Sequence, residues 1–444
     1  MIKYLGSKRT LIPTLLEILQ TFPRLSHIGD VFSGTSRVGQ ACKRAGYRVT
    51  ANDHNTYAHC LAQCYVASDL EEVEGPAKKL ISEFNQLPGS PGYFTDMFCE
   101  QARFFQPKNG ARVDAIREAI HAKGLPPKLH AVVLTSLMEA ADRVDSTCGL
   151  QMAYVKKWAT RSFNDLEMRM PDVVARSPHG PCQALQLDAL EAVGHMDVDI
   201  AYLDPPYNQH SYLSNYHIWE SLVLWDKPEA YGVARKRIDC RTRKSSYNSK
   251  RSHHAAFAEL IAGVQAPLIV VSFNNEGYQS RNEMEQMLAC HGNVFVVTKD
   301  FKRYVGAQIG VYNPKGDRVG KVSHLRNEEY IYLVARPDFL ARVPDALNRL
   351  GSLAQRIDDR AQVKDELGDT PREDRVSRLT RVLAGLGKAT RSELRQATEL
   401  SDYQTRMGLE SLVRRGVVAT EGDGRRRTYA LAQAHNHPEA ERGS

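Results

Sequence analysis

Two short apolar runs, each joined to an acid and followed by a helix-like stretch, restrict what this chain can become. Ile28 to Phe32, which contains Asp30, reads as a strand, and residues 36–45 read as a helix. Arg48 to Ala51 reads as a second strand leading into Asn52-Asp53, and residues 55–67 as a second helix. Strand–helix–strand–helix order makes neighbouring strands parallel, because each crossover helix returns the chain to the same end of the sheet. The rhythm resumes with a strand at Asp199–Leu203, a helix over 214–225, a strongly apolar strand at Pro267–Phe273 and a helix over 281–290. Val294–Thr298 and Tyr330–Ala335 are expected to pair as an antiparallel hairpin at the sheet edge. The expectation is a Rossmann-like α/β sheet over residues 1–336.

Residues 70–180 break the alternation and read as a mostly helical insertion. A charge-rich linker is expected over 337–374. Residues 375–432 carry three helical stretches and then strand, turn and strand, with Thr390 to Glu393 forming a capping box for the second helix. That order predicts a C-terminal winged-helix domain, followed by a tail over 433–444.

Charge is concentrated rather than spread. Residues 235–251 hold eight basic side chains (Arg235, Lys236, Arg237, Arg241, Arg243, Lys244, Lys250 and Arg251) against one acid, Asp239. Residues 375–432 hold twelve Lys/Arg against six acids, with Arg425, Arg426 and Arg427 on the expected wing. Two basic segments on an otherwise acidic body point to a polyanionic partner such as duplex DNA. The eight cysteines include no CxxC pair, so no zinc site is expected, and Cys60 and Cys64 read as buried thiols on one helix face. The start of the chain has no apolar signal-peptide core, and no apolar run approaches the ~18 residues of a membrane span. A cytoplasmic protein with reduced thiols and no membrane partner is expected.

Three acids carry the candidate chemistry. Asp30-Val-Phe-Ser-Gly34-Thr-Ser36 leaves a strand and opens a helix, and its small residues let a ligand approach the backbone. Asp53 stands at the tip of the next strand, where ribose hydroxyls bind in dinucleotide folds. Asp204-Pro205-Pro206-Tyr207 closes an apolar strand at the end where open α/β sheets bind ligands. The prolines stiffen this turn and carry no competing amide N–H. An Asp carboxylate and a proline carbonyl can then accept both hydrogens of an amino group, while Tyr207 offers a stacking face for a base.

These residues bring a resemblance into view. Lys3-Tyr-Leu-Gly-Ser-Lys8, Asp30 to Ser36 and Asp204 to Tyr207 resemble the N-terminal, cofactor and catalytic motifs of the Dam-like adenine-specific DNA methyltransferases, particularly those of type IIS restriction systems. Asn208, Asn215-Tyr216-His217, Ser272 to Gly277, Arg103-Phe-Phe, Asn109-Gly110 and Lys156-Lys157-Trp158 extend the likeness over residues 1–335. The resemblance implies transfer of a methyl group from S-adenosyl-L-methionine to the N6 amino group of adenine, by base flipping and direct displacement. It implies that Tyr4, Gly6 and Lys8 bind the cofactor, with Lys8 at the methionine end. Asp30, Phe32 and Gly34 would line the methionine portion, Asp53 would take the ribose and Asp188 would face the cofactor's adenine. Asp204, Pro205, Pro206 and Tyr207 would hold the target base. Ser36 departs from the family loop, which more often has glycine there. No nuclease constellation is visible, so a separately encoded restriction endonuclease is the implied partner. Transfer to cytosine's amino group fits the same clamp, and a DNA-binding regulator on a methylase fold is the alternative of a different class. An RNA substrate fits the expected winged helix less well. Transfer to a cytosine ring carbon would need a thiolate, and the single Pro-Cys dipeptide, Pro181-Cys182, lies at no convincing strand end.

Overall fold

The computed structural model describes residues 1–302, 311–312, 318–320, 326–368, 372–398, 400, 402–414, 417–422 and 427–432. Its centre is a seven-stranded sheet. The strands are β1 (His27–Asp30), β2 (Arg48–Asn52), β3 (Gln183–Leu185), β4 (Ile200–Leu203), β5 (Leu268–Asn274), β6 (Asn293–Lys302) and β7 (Arg326–Ala335). In space they run β3-β2-β1-β4-β5-β7-β6. The first five are mutually parallel. The last two are antiparallel additions, with β7 paired to both β5 and β6. The hairpin expected from Val294–Thr298 and Tyr330–Ala335 is therefore present, but β7 lies inside β6 rather than at the rim.

Both faces of the sheet are covered, as parallel strands require. Alternate residues of each strand point to opposite sides. Ile28, Val49, Ile200, Tyr202, Leu268 and Val270 pack in one buried cluster with the helices Ile12–Gln20 and Arg37–Arg44. Ala201, Leu203, Ile269 and Val271 pack on the other side with Ala189–Gly194 and His253–Gly263. Each such fully buried aliphatic side chain contributes about 1.5–3 kcal/mol.

Residues 70–180 begin with the helices Leu70–Asn85, Pro107–Ala122 and Pro127–Arg143 and then run on largely without regular structure. They share one apolar core with Tyr57 and Leu61 of the second crossover helix and with Tyr216, Trp219 and Leu222 of the helical segment after Asp204. That segment is two short helices, Tyr212–Asn215 and His217–Leu224, rather than the single helix expected over 214–225.

Residues 337–374 differ from the expected linker. They form the helices Pro337–Arg342 and Ala346–Gly368, and Phe339, Ala346, Leu350, Leu353 and Ile357 are buried in the cluster beneath the sheet. Charged residues hid an amphipathic face at helical spacing. The chain divides into the units Met1–Asp358 and Asp359–Ser444. The second unit carries the helices Arg372–Leu386, Arg391–Thr398 and Asp402–Arg414. It also holds a three-stranded antiparallel sheet of β8 (Lys388–Thr390), β10 (Thr428–Leu431) and β9 (Val418–Glu421), in that order. The Thr390–Glu393 capping box is formed in both directions. Leu379, Leu383, Leu394, Leu409 and Leu412 make a separate small core. The expected tail 433–444 lies outside the described residues.

Candidate active site

The parallel strands deliver their C-terminal ends to one cleft. Asp30 from β1, Asn52 at the end of β2 and Asp53 after it, Asp188 after β3, and Asp204 and Pro206 after β4 all line it, as do Tyr4, Gly6 and Lys8 from the N-terminal segment. Phe32 and Gly34 line it as well, so each residue assigned to cofactor binding reaches the same cavity. Asn52 fastens the strand tips together: its amide donates to the carbonyls of Val31 and Leu187 at 3.2 Å, and its carbonyl accepts from the Leu187 amide at 3.0 Å.

The acids differ in environment. Asp53 braces the loop, accepting from the Gly34 amide at 3.0 Å and from the Asn55 amide at 2.9 Å. Oδ1 takes two hydrogen bonds, from the amide and the side chain of Asn55, and Oδ2 takes one, so acceptor capacity remains on Oδ2. Asp188 caps the helix Ala189–Gly194 through the Leu190 amide. Asp30 is 1% exposed; one oxygen accepts from the Gly39 amide at 3.1 Å and the other is buried without a partner. Burial, reinforced by the charge of Asp204, pushes its carboxyl up to about 7.

Asp204 belongs to a buried ionic cluster. The Lys8 ammonium lies 3.1 Å from its Oδ1 and also pairs with Glu329 on β7. Ser272 on β5 donates to the same Glu329 oxygen at 3.0 Å. Burial favours the neutral amine of Lys8, yet the two facing carboxylates outweigh it and hold the ammonium charged well above its ordinary range. Burial pushes Asp204 up to about 6, with Lys8 opposing the rise and Glu329 adding to it. Lys8 is thus committed to acids, whereas the resemblance implied a contact at the methionine end. The Tyr207 ring meets Phe273 edge-on at 5.8 Å, and its carbonyl accepts from the Tyr278 amide at 3.1 Å.

An aromatic wall closes one side. Tyr4 stacks on Tyr216 at 4.6 Å and on Tyr212 at 5.2 Å between ring centroids. Gly34 has φ of +51°, and a Cβ there would meet the Tyr4 ring at 3.2 Å, so glycine keeps this wall close. Ser36, the departure from the resembling loop, has φ of +59°, which is the conformation that favours glycine.

Several motif residues prove to be braces. Asn109 ties the helix Pro107–Ala122 to Ser162, Asn164 and Leu166 within the insertion, and a Cβ on Gly110 would sit 2.3 Å from the Cys99 sulfur. Arg103 stacks on Trp158 at 4.7 Å and donates to the Lys156 carbonyl. His217 meets the Gln151 carbonyl at 3.0 Å. Tyr212, Tyr247, Glu220, Arg37 and Glu329 carry no motif of their own and were missed by sequence reasoning. Glu220 is fully buried, accepts from the amides of Thr56 and Tyr57 just after Asp53, and pairs with Arg243 at 3.0 Å. An acid within an apolar helical run, His217 to Leu224, was the available signal for it.

The basic segment does not act as one surface. Arg237 is buried and forks onto Asp226 with two bonds of 2.7 Å, so its assignment to DNA is corrected to a structural ion pair. Arg243 is held by Glu220 and Asp239. Arg235 and Lys236 approach the sulfurs of Met97 and Met152. Arg241, Lys244, Lys250 and Arg251 are exposed. Arg427 is exposed beside β10, while Arg425 and Arg426 lie outside the described residues. Cys182 accepts from the Val49 amide, and burial raises its pKa, so no thiolate is prepared there. Among the described residues no cluster of His, Cys, Asp and Glu has metal-binding geometry, and no helix is long and apolar enough to cross a membrane.

The mostly parallel sheet, the acid-lined cleft over its strand ends and the Asp204–Tyr207 turn define a Rossmann-like methyltransferase fold. The chain belongs to the D12 class N6 adenine-specific DNA methyltransferases, whose family pattern matches residues 4–287. It is 28% identical over 312 residues to the type II methyltransferase M.NlaIII of Neisseria lactamica, covering 68% of this chain and 88% of that protein. It is 30% identical over 309 residues to M.FokI of Planomicrobium okeanokoites, covering 65% of this chain and 47% of that one. With the modification methylase StsI of Streptococcus sanguinis the figures are 27% over 302 residues, 64% and 46%. The chain therefore spans about half the length of M.FokI and StsI. Membership of this family favours adenine over cytosine and an enzyme over a silent regulator.

Proposed function

We propose that this adenine-specific DNA methyltransferase uses S-adenosylmethionine and acts on a base turned out of duplex DNA. The observation that carries the reading is the convergence of Asp30, Asp53, Asp188 and Asp204 on one cleft. The unpartnered oxygen of Asp30 and the glycine-dependent approach of Tyr4 to the loop suit a polar nucleoside ligand. S-adenosylmethionine supplies, when bound, an electrophilic methyl group. Asp30, Phe32 and Gly34 line its methionine portion, Asp53 accepts the ribose hydroxyls, Asp188 faces its adenine, and Tyr4 and Gly6 shape the wall.

Turning out the target base costs a few kcal/mol. Exposed Arg241, Lys244, Lys250 and Arg251 offset this through phosphate contacts. Tyr207 stacks the base, and Asp204 with the Pro205 carbonyl accepts the two amino hydrogens. That orientation aims the nitrogen lone pair at the methyl group, so positioning and polar stabilisation supply the rate. Pro206 stiffens the turn. The methyltransferase domain of this reading covers residues 1–336 with the later helices to 358 packed against it. Residues 375–432 are read as a winged helix that adds DNA contacts through Arg425, Arg426 and Arg427. The names of the relatives, type II methyltransferases, support a place in a restriction–modification system; a separately encoded endonuclease and a cytoplasmic location belong to the same reading.

The test is incubation with mixed-sequence duplex DNA and S-adenosylmethionine, digestion to nucleosides and mass spectrometry. N6-methyladenine is expected, and Asp204→Ala should abolish it while cofactor binding persists. Product without added S-adenosylmethionine, or equal loss of cofactor binding in Asp204→Ala, would overturn the cofactor or the residue roles respectively.

A further inference from the structure

The cleft is lined by two permanently cationic side chains, Lys8 and Arg37, and Lys8 is already committed to Asp204 and Glu329. Arg37 opens the helix Arg37–Arg44, directly after the Asp30–Ser36 loop. Its Nε is buried without a hydrogen-bond partner, and no hydrogen bond or ion pair holds its guanidinium among the described residues. The charge of Glu139 acts on it, but Glu139 takes the hydroxyl of Tyr65 and pairs with the N-terminal ammonium. A buried donor without an acceptor costs about 1–3 kcal/mol, so an orphan at a cleft wall is what a site lacking its anion looks like. Of the three further orphans in the same loop, Asp30 Oδ1, Ser33 Oγ and Ser36 Oγ, the first two belong to residues that line the cleft.

One forked cation, one carboxylate and one hydroxyl around a single turn are the complement of an α-amino acid head, whose carboxylate needs a donor pair and whose ammonium needs an acceptor. The geometry points to Arg37 as the residue that binds the α-carboxylate of the cofactor's methionine portion, opposite Asp30 at the α-ammonium. This rests on the reading that the cleft takes S-adenosylmethionine. It assigns to Arg37 the role that the N-terminal motif implied for Lys8, and it leaves Lys8 to hold Asp204.

Calorimetry with two ligands tests the assignment. S-adenosylhomocysteine carries the amino-acid head; 5′-methylthioadenosine keeps the nucleoside and sulfur but lacks that head. Arg37→Gln should weaken S-adenosylhomocysteine by about tenfold to a hundredfold, the value of a charge-assisted hydrogen bond, and leave methylthioadenosine unchanged. Arg37→Lys should recover part of the loss. Unchanged methylthioadenosine binding also reports that the variant is folded. Three outcomes overturn the proposal: no loss with S-adenosylhomocysteine, equal loss with both ligands, or loss confined to duplex DNA, which would make Arg37 a phosphate contact. A wild-type protein that binds neither nucleoside would instead overturn the cofactor reading on which the proposal rests.

Discussion

Replacing Asp30 with Asn should stabilise the free protein at alkaline pH while removing its grip on the cofactor. Burial and the charge of Asp204 move this carboxyl from an ordinary value of 3.8 up to about 7. Each unit corresponds to about 1.36 kcal/mol, so keeping the ionised form inside the fold costs roughly 4 kcal/mol above pH 7. Asn removes the charge but weakens the bond from the Gly39 amide, a loss of about 1 kcal/mol. The net gain at pH 8 is then about 2–3 kcal/mol. At roughly 2.1 cal/mol/K per residue, a unit of 358 residues converts this to a melting temperature about 3–4 °C higher. The sign with pH follows from the direction of the shift. A carboxyl raised on folding stabilises below its unfolded value and loses that contribution as pH rises through the folded one. Wild-type stability should therefore fall between about pH 4 and pH 7, and Asp30→Asn should lack that fall. Calorimetric melts at pH 5 and pH 8 decide it. A variant that melts lower than wild type at pH 8, or a difference independent of pH, would refute the reasoning.

Arg237→Ala should lower stability by roughly 2–3 kcal/mol, less than a fully buried pair because Asp226 is 42% exposed, and leave the salt dependence of DNA binding unchanged. Converting Lys250 and Arg251 to Ala should do the reverse, shrinking the slope of log affinity against log salt by about 2 with an unaltered melt. Glu329→Gln removes the carboxylate that adds to the rise of Asp204, so the acid limb of the kcat/KM profile should move to lower pH; an unmoved limb would deny Glu329 that positioning role. Ser36→Gly should add up to about 1 kcal/mol, since relief of the left-handed backbone at +59° exceeds the added chain entropy, and a destabilised variant would contradict this.

What the sequence made legible was whatever depends on near neighbours in the chain. Apolar runs at Ile28, Val49, Ile200 and Val270 are strands because their period and flanking acids suit a buried parallel sheet, and the acids at their ends meet because that topology gathers strand ends. Glu329 was not legible, since its meaning depends on β7 inserting beside β5, where Ser272 and Lys8 wait, and a sequence separation of 321 residues from Lys8 leaves no local trace. The same holds for Arg237, which looked like part of a basic surface until Asp226 and Asp239 were brought to it. Charge density reads correctly only for side chains that stay in water, and folding decides which those are. The linker over 337–374 failed for the complementary reason. Leu350, Leu353 and Ile357 recur at helical spacing among many charges, and composition outvoted periodicity. In this chain the motif residues assemble the cleft, whereas burial and Lys8 set the charge of Asp204 together with Glu329, a residue that no motif contains.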